Sequence, residues 1–269
     1  KPYKAYLNSI GKSDLYETLP VTKRIEMKAN ASNFAKASIK KKTASAIKDV
    51  GATKVVMFLG SNGTLDREKL PLPELKHDTI SCWKYKGNRD GGFVPDNLTE
   101  IKDWMCNRWL SFWSHEVESD DSITVTYKAL LKRGVKVYLV GVDKDYLSEP
   151  YGGIFIHSHH EKPIWRDKTE ENQLGSIWID SSKKAKKVSG HGDMYMCYQL
   201  IHGDQPDNFH PTSFLQQYGS LGNFGIVGVV KYLTQAKTRR ELWQLTYDFY
   251  VKYLPEKIDY VDCFGVKHS

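Results

Sequence analysis

Apolar positions along the chain fall into helix-spaced stripes and short continuous runs. Over residues 32–50, Phe34, Ala35, Ile39, Ala46, Ile47 and Val50 recur at helical spacing opposite Lys36, Lys40, Lys41, Lys42 and Lys48, and Gly51 predicts where that helix ends. Residues 1–30 are polar and mixed, broken at Leu19-Pro20, and predict loop and short helix. Lys54-Val55-Val56-Met57-Phe58-Leu59 reads as a buried strand stopped by Gly60-Ser61-Asn62-Gly63. A helix capped by Asp96 or Asn97 would carry Leu98, Ile101, Met105, Trp109 and Phe112 on one stripe. Residues 121–133 predict a further helix whose face of Ile123, Tyr127, Leu130 and Leu131 covers a sheet. Leu139-Val140-Gly141-Val142 is the unbroken apolar run of a parallel strand buried on both faces. Ile154-Phe155-Ile156 and Ile177-Trp178-Ile179 read as short strands. Beyond Gly190 and Gly192 a helical region begins, with Met194, Cys197, Tyr198 and Ile201 inward on one helix and Leu242, Leu245, Phe249 and Tyr253 inward on another over 239–254.

That pattern places chemistry at two element ends. Asp143 and Asp145 fall at the carboxyl end of the 139–142 strand, two residues apart and able to face one side. Glu118, Asp120 and Asp121 fall at the amino end of the 121–133 helix, where the helix dipole helps each a little. Converging carboxylates repel, and a bound cation makes such a set sensible; oxygen ligands select a hard ion, Mg²⁺ or Mn²⁺. Taken singly, an acidic helix start and an acidic turn are both common, and the short helix–turn–strand unit linking them is what favours a site.

Composition sharpens the choice of partner. With 269 residues, 40% of them hydrophobic, the chain can bury one substantial core and add a smaller region. The net charge is +7 although the candidate site is acidic, so the excess Lys and Arg form positive surface elsewhere. An acidic metal site in a basic protein suits a polyanion such as nucleic acid, although basicity alone also describes many merely soluble proteins. Cys82, Cys106, Cys197 and Cys263 have neither zinc-ligand spacing nor the density of a disulfide framework, so a reducing cytoplasm is the expected setting. No apolar run has transmembrane length, and the sequons at Asn30, Asn62 and Asn97 weigh little. The chain opens on Lys1 rather than Met, which leads to the expectation of a preceding segment.

Several loops carry charge of the kind nucleic acid requires. The long connection 64–96 contains Trp83-Lys84-Tyr85-Lys86-Gly87-Asn88-Arg89-Asp90, in which Lys84, Lys86 and Arg89 offer phosphate contacts and Trp83 and Tyr85 flat faces for bases. Lys183, Lys184, Lys186 and Lys187 form a run that either is simply solvated or lies against a phosphate backbone. Gly203-Asp204-Gln205-Pro206-Asp207-Asn208 is an acidic turn that could face the other acids. Gly219, Gly222, Gly225 and Gly228 mark a turn before Val229, where backbone amides can meet phosphate. His157, His159 and His160 read as surface polarity at a strand end rather than as a metal set.

In order, Tyr85-Lys86-Gly87-Asn88-Arg89, Val117-Glu118-Ser119-Asp120-Asp121, Asp143-Lys144-Asp145 and Gly203-Asp204-Gln205-Pro206-Asp207-Asn208 resemble the structure-specific 5′-nuclease family of flap endonucleases and 5′→3′ exonucleases, its bacteriophage members above all. The likeness covers roughly residues 50–235. It implies an α/β fold: a PIN-like nuclease core over 1–190, with a central mixed, mostly parallel sheet and helices on both faces, and a helix–three-turn–helix-like region over 191–269 that grips duplex DNA. It implies Mg²⁺ or Mn²⁺, two ions, held by Glu118, Asp120, Asp121, Asp143, Asp145, Asp204 and Asp207, with Lys86 and Arg89 as catalytic residues at the scissile phosphate. Lys84, Tyr85, Lys183, Lys184, Lys186, Lys187, Gly225 and Gly228 are the expected DNA contacts, and K⁺ is expected at the helical turn. The function implied is metal-dependent hydrolysis of DNA, or of RNA primers in an RNA–DNA hybrid, at 5′-flaps or nicked and ended duplexes. The setting implied is DNA replication in the cytoplasm of a bacterial host, by a monomer with no membrane partner. The alternative is a catalytically impaired, nuclease-like protein that binds branched DNA or a replication partner. The family's first strand with its Asp has no counterpart, Gly60-Ser61-Asn62 stands where many members place another Asp, and Phe209-His210-Pro211 replaces an Ile-Pro-Gly-like turn. The segment from Arg89 to Glu118 is also short for a full helical arch.

Overall fold

In a computed structural model, the structure describes residues 20–60, 97–114, 117–157, 160–180, 187–204, 209, 211–212, 221, 224–253, 260–261 and 267–268. It divides into two compact units, Lys1–Gly63 with Gly91–Ile123, and Thr64–Asp90 with Thr124–Ser269.

In the first unit, α1 (Val21–Val50) begins well inside the stretch expected to be loop and short helix. Nothing between Pro20 and Gly51 breaks a helix, and Pro20 at the boundary cannot continue one backwards at low cost. Its covered stripe is Met27, Ala31 and Ala35, spaced four residues apart, whereas Phe34, expected on the inner side, is 43% exposed. The helix is tied to α2 (Leu98–Arg108) through a set of polar groups. Asn97 sits at the cap position but makes no cap hydrogen bond; its amide donates to Ser32 Oγ at 2.9 Å, and that hydroxyl donates to Glu100 at 3.0 Å. Lys36 closes the group on Glu100 at 2.6 Å.

β1 (Val56–Gly60) pairs in parallel with β2 (Leu110–Ser114), and α2 lies between them in the chain. The stripe expected to run through Trp109 to Phe112 on one helix is therefore split. Trp109 is already extended, and Leu110-Ser111-Phe112-Trp113 has the aromatic, alternating character that suits a strand. Phe112 stands opposite Phe58, with ring centroids 5.5 Å apart. Nor is β1 the strand buried throughout that its sequence predicted: among its residues only Leu59 is buried.

The second unit begins within α3 (Ser119–Lys132), whose Tyr127 is buried while Ile123, Leu130 and Leu131 are half-buried. Gly134, at φ 75°, ends the helix: its N–H reaches Leu131 O and the N–H of Val135 reaches Leu130 O, a Schellman closure that a side chain would strain. The chain then enters β3 (Tyr138–Gly141), parallel to β4 (Gly152–Ile156), which is antiparallel to β5 (Ile164–Arg166). The strand buried along its whole length is β4, the central one. Among the described strands β3 stands at the edge; Leu139 is buried and the following Val142 is 72% exposed, so the expectation of a strand at 139–142 covered on both faces does not hold.

After α4 (Glu170–Leu174), β6 (Ser176–Asp180) and β7 (Lys187–His191) form an antiparallel pair that feeds α5 (Gly192–His202). α6 (Ile226–Leu233) and α7 (Arg239–Tyr253) follow, then a short antiparallel pair, β8 (Tyr260–Val261) and β9 (Lys267–His268). The protein is mixed α/β, but its described strands make four small sheets rather than one central sheet. The core lies where α5, α6 and α7 pack: Cys197, Ile201, Val229, Leu233 and Leu242 are completely buried and Phe249 is 1% exposed. Each such side chain contributes about 1.5–3 kcal/mol of burial. Asp193 in the first turn of α5 fixes α7, accepting from Arg239 Nε at 2.7 Å and Trp243 Nε1 at 3.0 Å. Among the described residues, no helix is long and apolar enough to cross a membrane.

Candidate metal centre

Glu118, Asp120 and Asp121 meet at the start of α3, with ligand oxygens all within 4.8 Å of one another. The local chain builds this. Ser122 N–H donates to Glu118 O at 3.1 Å, opening the helix, and Ser114 Oγ at the end of β2 donates to Ser122 Oγ at 2.9 Å. Gly60, at the end of β1, approaches Ser119 so closely that an added Cβ would lie 3.3 Å from its hydroxyl. Glu118 is 8% exposed, and Asp121 N–H donates to Asp120 Oδ1 at 3.1 Å. Burial, and then the charges of Glu118 and Asp121, hold the Asp120 carboxyl above the usual carboxylate range. The donor set fits a hard divalent ion: three carboxylates, close together, one of them resisting ionisation that a cation would favour.

A second acidic set lies in the other unit. Asp143 follows β3 and caps the 3₁₀ helix Lys144–Ser148, its Oδ1 accepting from Asp145 N–H at 3.0 Å. Lys144 Nζ donates to Asp204 Oδ1 at 2.8 Å and lies 3.7 Å from Asp145 Oδ1. Gln199 of α5 donates to Asp145 Oδ1 at 2.7 Å. Asp204 is held by its own backbone, which exchanges hydrogen bonds with Phe209 at 2.8 and 3.0 Å. Burial raises the Asp145 carboxyl, the charges of Asp143 and Asp204 add to this, and Lys144 and Gln199 oppose it. Burial alone would lower the Lys144 ammonium, yet Asp204 and then Asp145 carry it above the ordinary lysine value. Lys144 thus links Asp145 to Asp204, while Asp143 caps the turn beside them; among the described residues the three do not share the small volume that Glu118, Asp120 and Asp121 do. Their cation is a side chain the reading passed over, and its signal was plain: a lysine between two acids, facing a third.

The other expected residues are placed as follows. Lys84, Tyr85, Lys86 and Arg89, Lys183, Lys184 and Lys186, and Asp207 lie outside the described residues. Lys187 is the exposed first residue of β7, opposite Asp180. Gly225 heads α6 and Gly228 lies inside its first turn, not in a turn before Val229; the first helical bond is Val229 N–H to Gly225 O at 3.1 Å. His157 is exposed at the end of β4, and His160 Nδ1 accepts from Ile156 N–H at 3.3 Å, while His159 is not among the described residues.

No family model matches the chain, and no curated protein matches it. Among solved structures, the chain is similar to the T5 D15 protein, co-crystallised with metal ions, at 16% identity over 82% of this chain and 83% of that one, with a TM-score of 0.43. A likeness of that degree establishes neither a family nor an activity.

Proposed function

We propose that the protein is a metal-dependent nuclease that hydrolyses phosphodiester bonds of DNA near junctions of single strand and duplex. The observation that carries this reading is the Glu118–Asp120–Asp121 set, three carboxylates that share one small volume and leave Asp120 reluctant to ionise. A basic chain built around such a set matches a polyanionic substrate, and the order of its acidic and basic motifs resembles that of the 5′-nucleases. Glu118, Asp120 and Asp121 would hold Mg²⁺ or Mn²⁺, which when bound supplies Lewis-acid activation of water and charge stabilisation at phosphate. Lys86 and Arg89 would contact the scissile phosphate, and Lys84, Tyr85, Lys183, Lys184, Lys186, Lys187 and the amides around Gly225 and Gly228 the DNA strands. The division into a nuclease core over 1–190 and a DNA-gripping region over 191–269 belongs to the same proposal.

One observation favours the binding-only alternative. Lys144 already supplies positive charge to Asp145 and Asp204, where the second of two metal ions would be held. For Asp143, Asp145, Asp204 and Asp207 to hold an ion, that ammonium must move aside. The deciding experiment is incubation with a labelled 5′-flap duplex, with Mg²⁺ and then with EDTA, for the natural chain and for Asp120→Asn. Cleavage that needs Mg²⁺ and is lost in Asp120→Asn supports the nuclease; flap binding without cleavage in Mg²⁺ replaces it with the binder.

A further inference from the structure

At the edge where β3 and β4 begin, opposite in strand direction to Asp143, a cleft of about 440 Å³ opens between the end of α3 and β5. Its size is that of small-molecule sites, roughly 300–1,000 Å³. Its floor depends on Gly152, at φ 93°, where any Cβ would run into Tyr127 Oη and Leu131 Cδ1. Tyr127 in turn donates to Tyr151 O at 2.8 Å, so the wall bearing the Tyr151 ring is fixed to α3.

Three cations and two aromatic rings line this cleft, with Asp167 as its one carboxylate. Lys136 Nζ lies 5.7 Å from the centre of the Trp165 ring, and Lys168 Nζ lies 5.3 Å from that of Tyr151. Asp167 is turned to Trp165, accepting from its Nε1 at 3.1 Å, and this holds the indole in place. Among the described residues, Lys136, Arg166 and Lys168 have no ion pair with a carboxylate, and Arg166 Nη1 is buried with no hydrogen-bond partner. That nitrogen lies beneath the wall, so Arg166 adds positive charge to the cleft without offering Nη1 as a contact. Trp165 is 40% exposed, with the Tyr138 ring 5.6 Å away at 58°, and its exposed part offers a flat face to an aromatic ligand.

We propose that this cleft binds a nucleotide unit, its base against Trp165 and its phosphate among Lys136, Arg166 and Lys168. Phosphate and aromatic ring are both required by the lining: cations alone would take any anion, and indole alone any flat apolar group. The unit comes either from a free mononucleotide or from the phosphorylated end of a strand. The site stands apart from metal chemistry, since none of its residues is a candidate metal ligand, and it is tested with metal removed.

The test is fluorescence anisotropy of a 5′-phosphorylated, 3′-labelled tetrathymidylate with the full chain in EDTA at low salt. Trp165→Ala, and the exposed pair Lys136→Ala/Lys168→Ala, should each weaken binding about tenfold, the scale of one base stack or a pair of phosphate contacts, while Trp165→Phe keeps most of it. Competition by thymidine 5′-monophosphate assigns the cleft to free nucleotides, and competition only by the phosphorylated strand assigns it to strand ends; either supports the proposal. Unchanged affinity in the double lysine variant, or competition by inorganic phosphate as effective as by the nucleotide, overturns it.

Discussion

The two acidic sets solve the same electrostatic problem differently. In the second unit Asp143, Asp145 and Asp204 are met from within the chain: Lys144 bonds Asp204 at 2.8 Å, Gln199 bonds Asp145 at 2.7 Å, and Asp143 spends its carboxylate on a cap. In the first, Glu118, Asp120 and Asp121 crowd one another, and the crowding shows in the raised carboxyl of Asp120. A set neutralised by its own lysine contributes to stability without help. A set that is mutually repulsive is held in place by the fold, and gains when a cation arrives. The difference lies in how closely the carboxylates crowd one another, which counting them does not show.

The largest effect that tests this contrast is catalytic. Asp120→Asn should reduce Mg²⁺-dependent cleavage of a 5′-flap duplex by at least about 100-fold, since losing a direct ligand costs more than losing a group that supports one. Duplex affinity measured in EDTA should change little. If Asp120→Asn cuts at the natural rate, the first set is not the metal centre.

Next in size is the loss of the internal cation. Lys144→Met leaves the Asp204 carboxylate, 11% exposed, without its ammonium, and should lower the unfolding free energy by about 1–3 kcal/mol in urea denaturation. The same variant should gain thermal stability from Mg²⁺ that the natural chain does not gain at this set, because a metal can then take the place of the lysine. A variant as stable as the natural chain would mean that the pair is no more than a screened surface contact.

The alkaline limb gives a third, smaller test. The Lys144 pKa is raised in the folded state above its ordinary 10.5, so its contribution is complete below that value and is lost as pH rises through the folded pKa. Stability against urea should therefore fall more steeply above about pH 10.5 in the natural chain than in Lys144→Met. Parallel curves would remove Lys144 from the account.

How much of this was readable in the sequence follows from which interactions were local. The helices of the second unit were legible because their stripes were long: Met194, Cys197, Tyr198 and Ile201 are all buried on α5, and Leu242 and Phe249 on α7. The Glu118–Asp121 cluster was legible because one turn of helix brings the acids together whatever the rest of the chain does. Strand burial was not legible, since Leu139-Val140-Gly141-Val142 is as apolar as a central strand, and only pairing, which is non-local, puts β4 between β3 and β5 among the described strands. The boundary inside Trp109–Phe112 was missed for a related reason: the stripe fits a helix until β1 offers a parallel partner. Asn97 had the residue type of a cap, yet its amide is taken by Ser32, 65 positions away in the chain.

The smallest expected effect runs opposite in sign to the first and is the sharpest check on the contrast. Asp120 has a folded-state pKa above the ordinary carboxylate value, from burial first and then from Glu118 and Asp121. A group raised in this way adds stability only at low pH, where the carboxyl is protonated, and that contribution is lost as pH rises through the folded pKa. At neutral pH and without metal, the ionised Asp120 is therefore a cost. Asp120→Asn, which keeps the shape and removes the charge, should make the metal-free protein slightly more stable, by less than about 1 kcal/mol, the scale of interactions between partly exposed charges. Added Mg²⁺ should reverse the order, raising the thermal midpoint of the natural chain and leaving that of the variant nearly unchanged. Differential scanning fluorimetry in EDTA and in Mg²⁺ reads both halves. A variant less stable than the natural chain in EDTA would show that the protein already satisfies Asp120 without a cation.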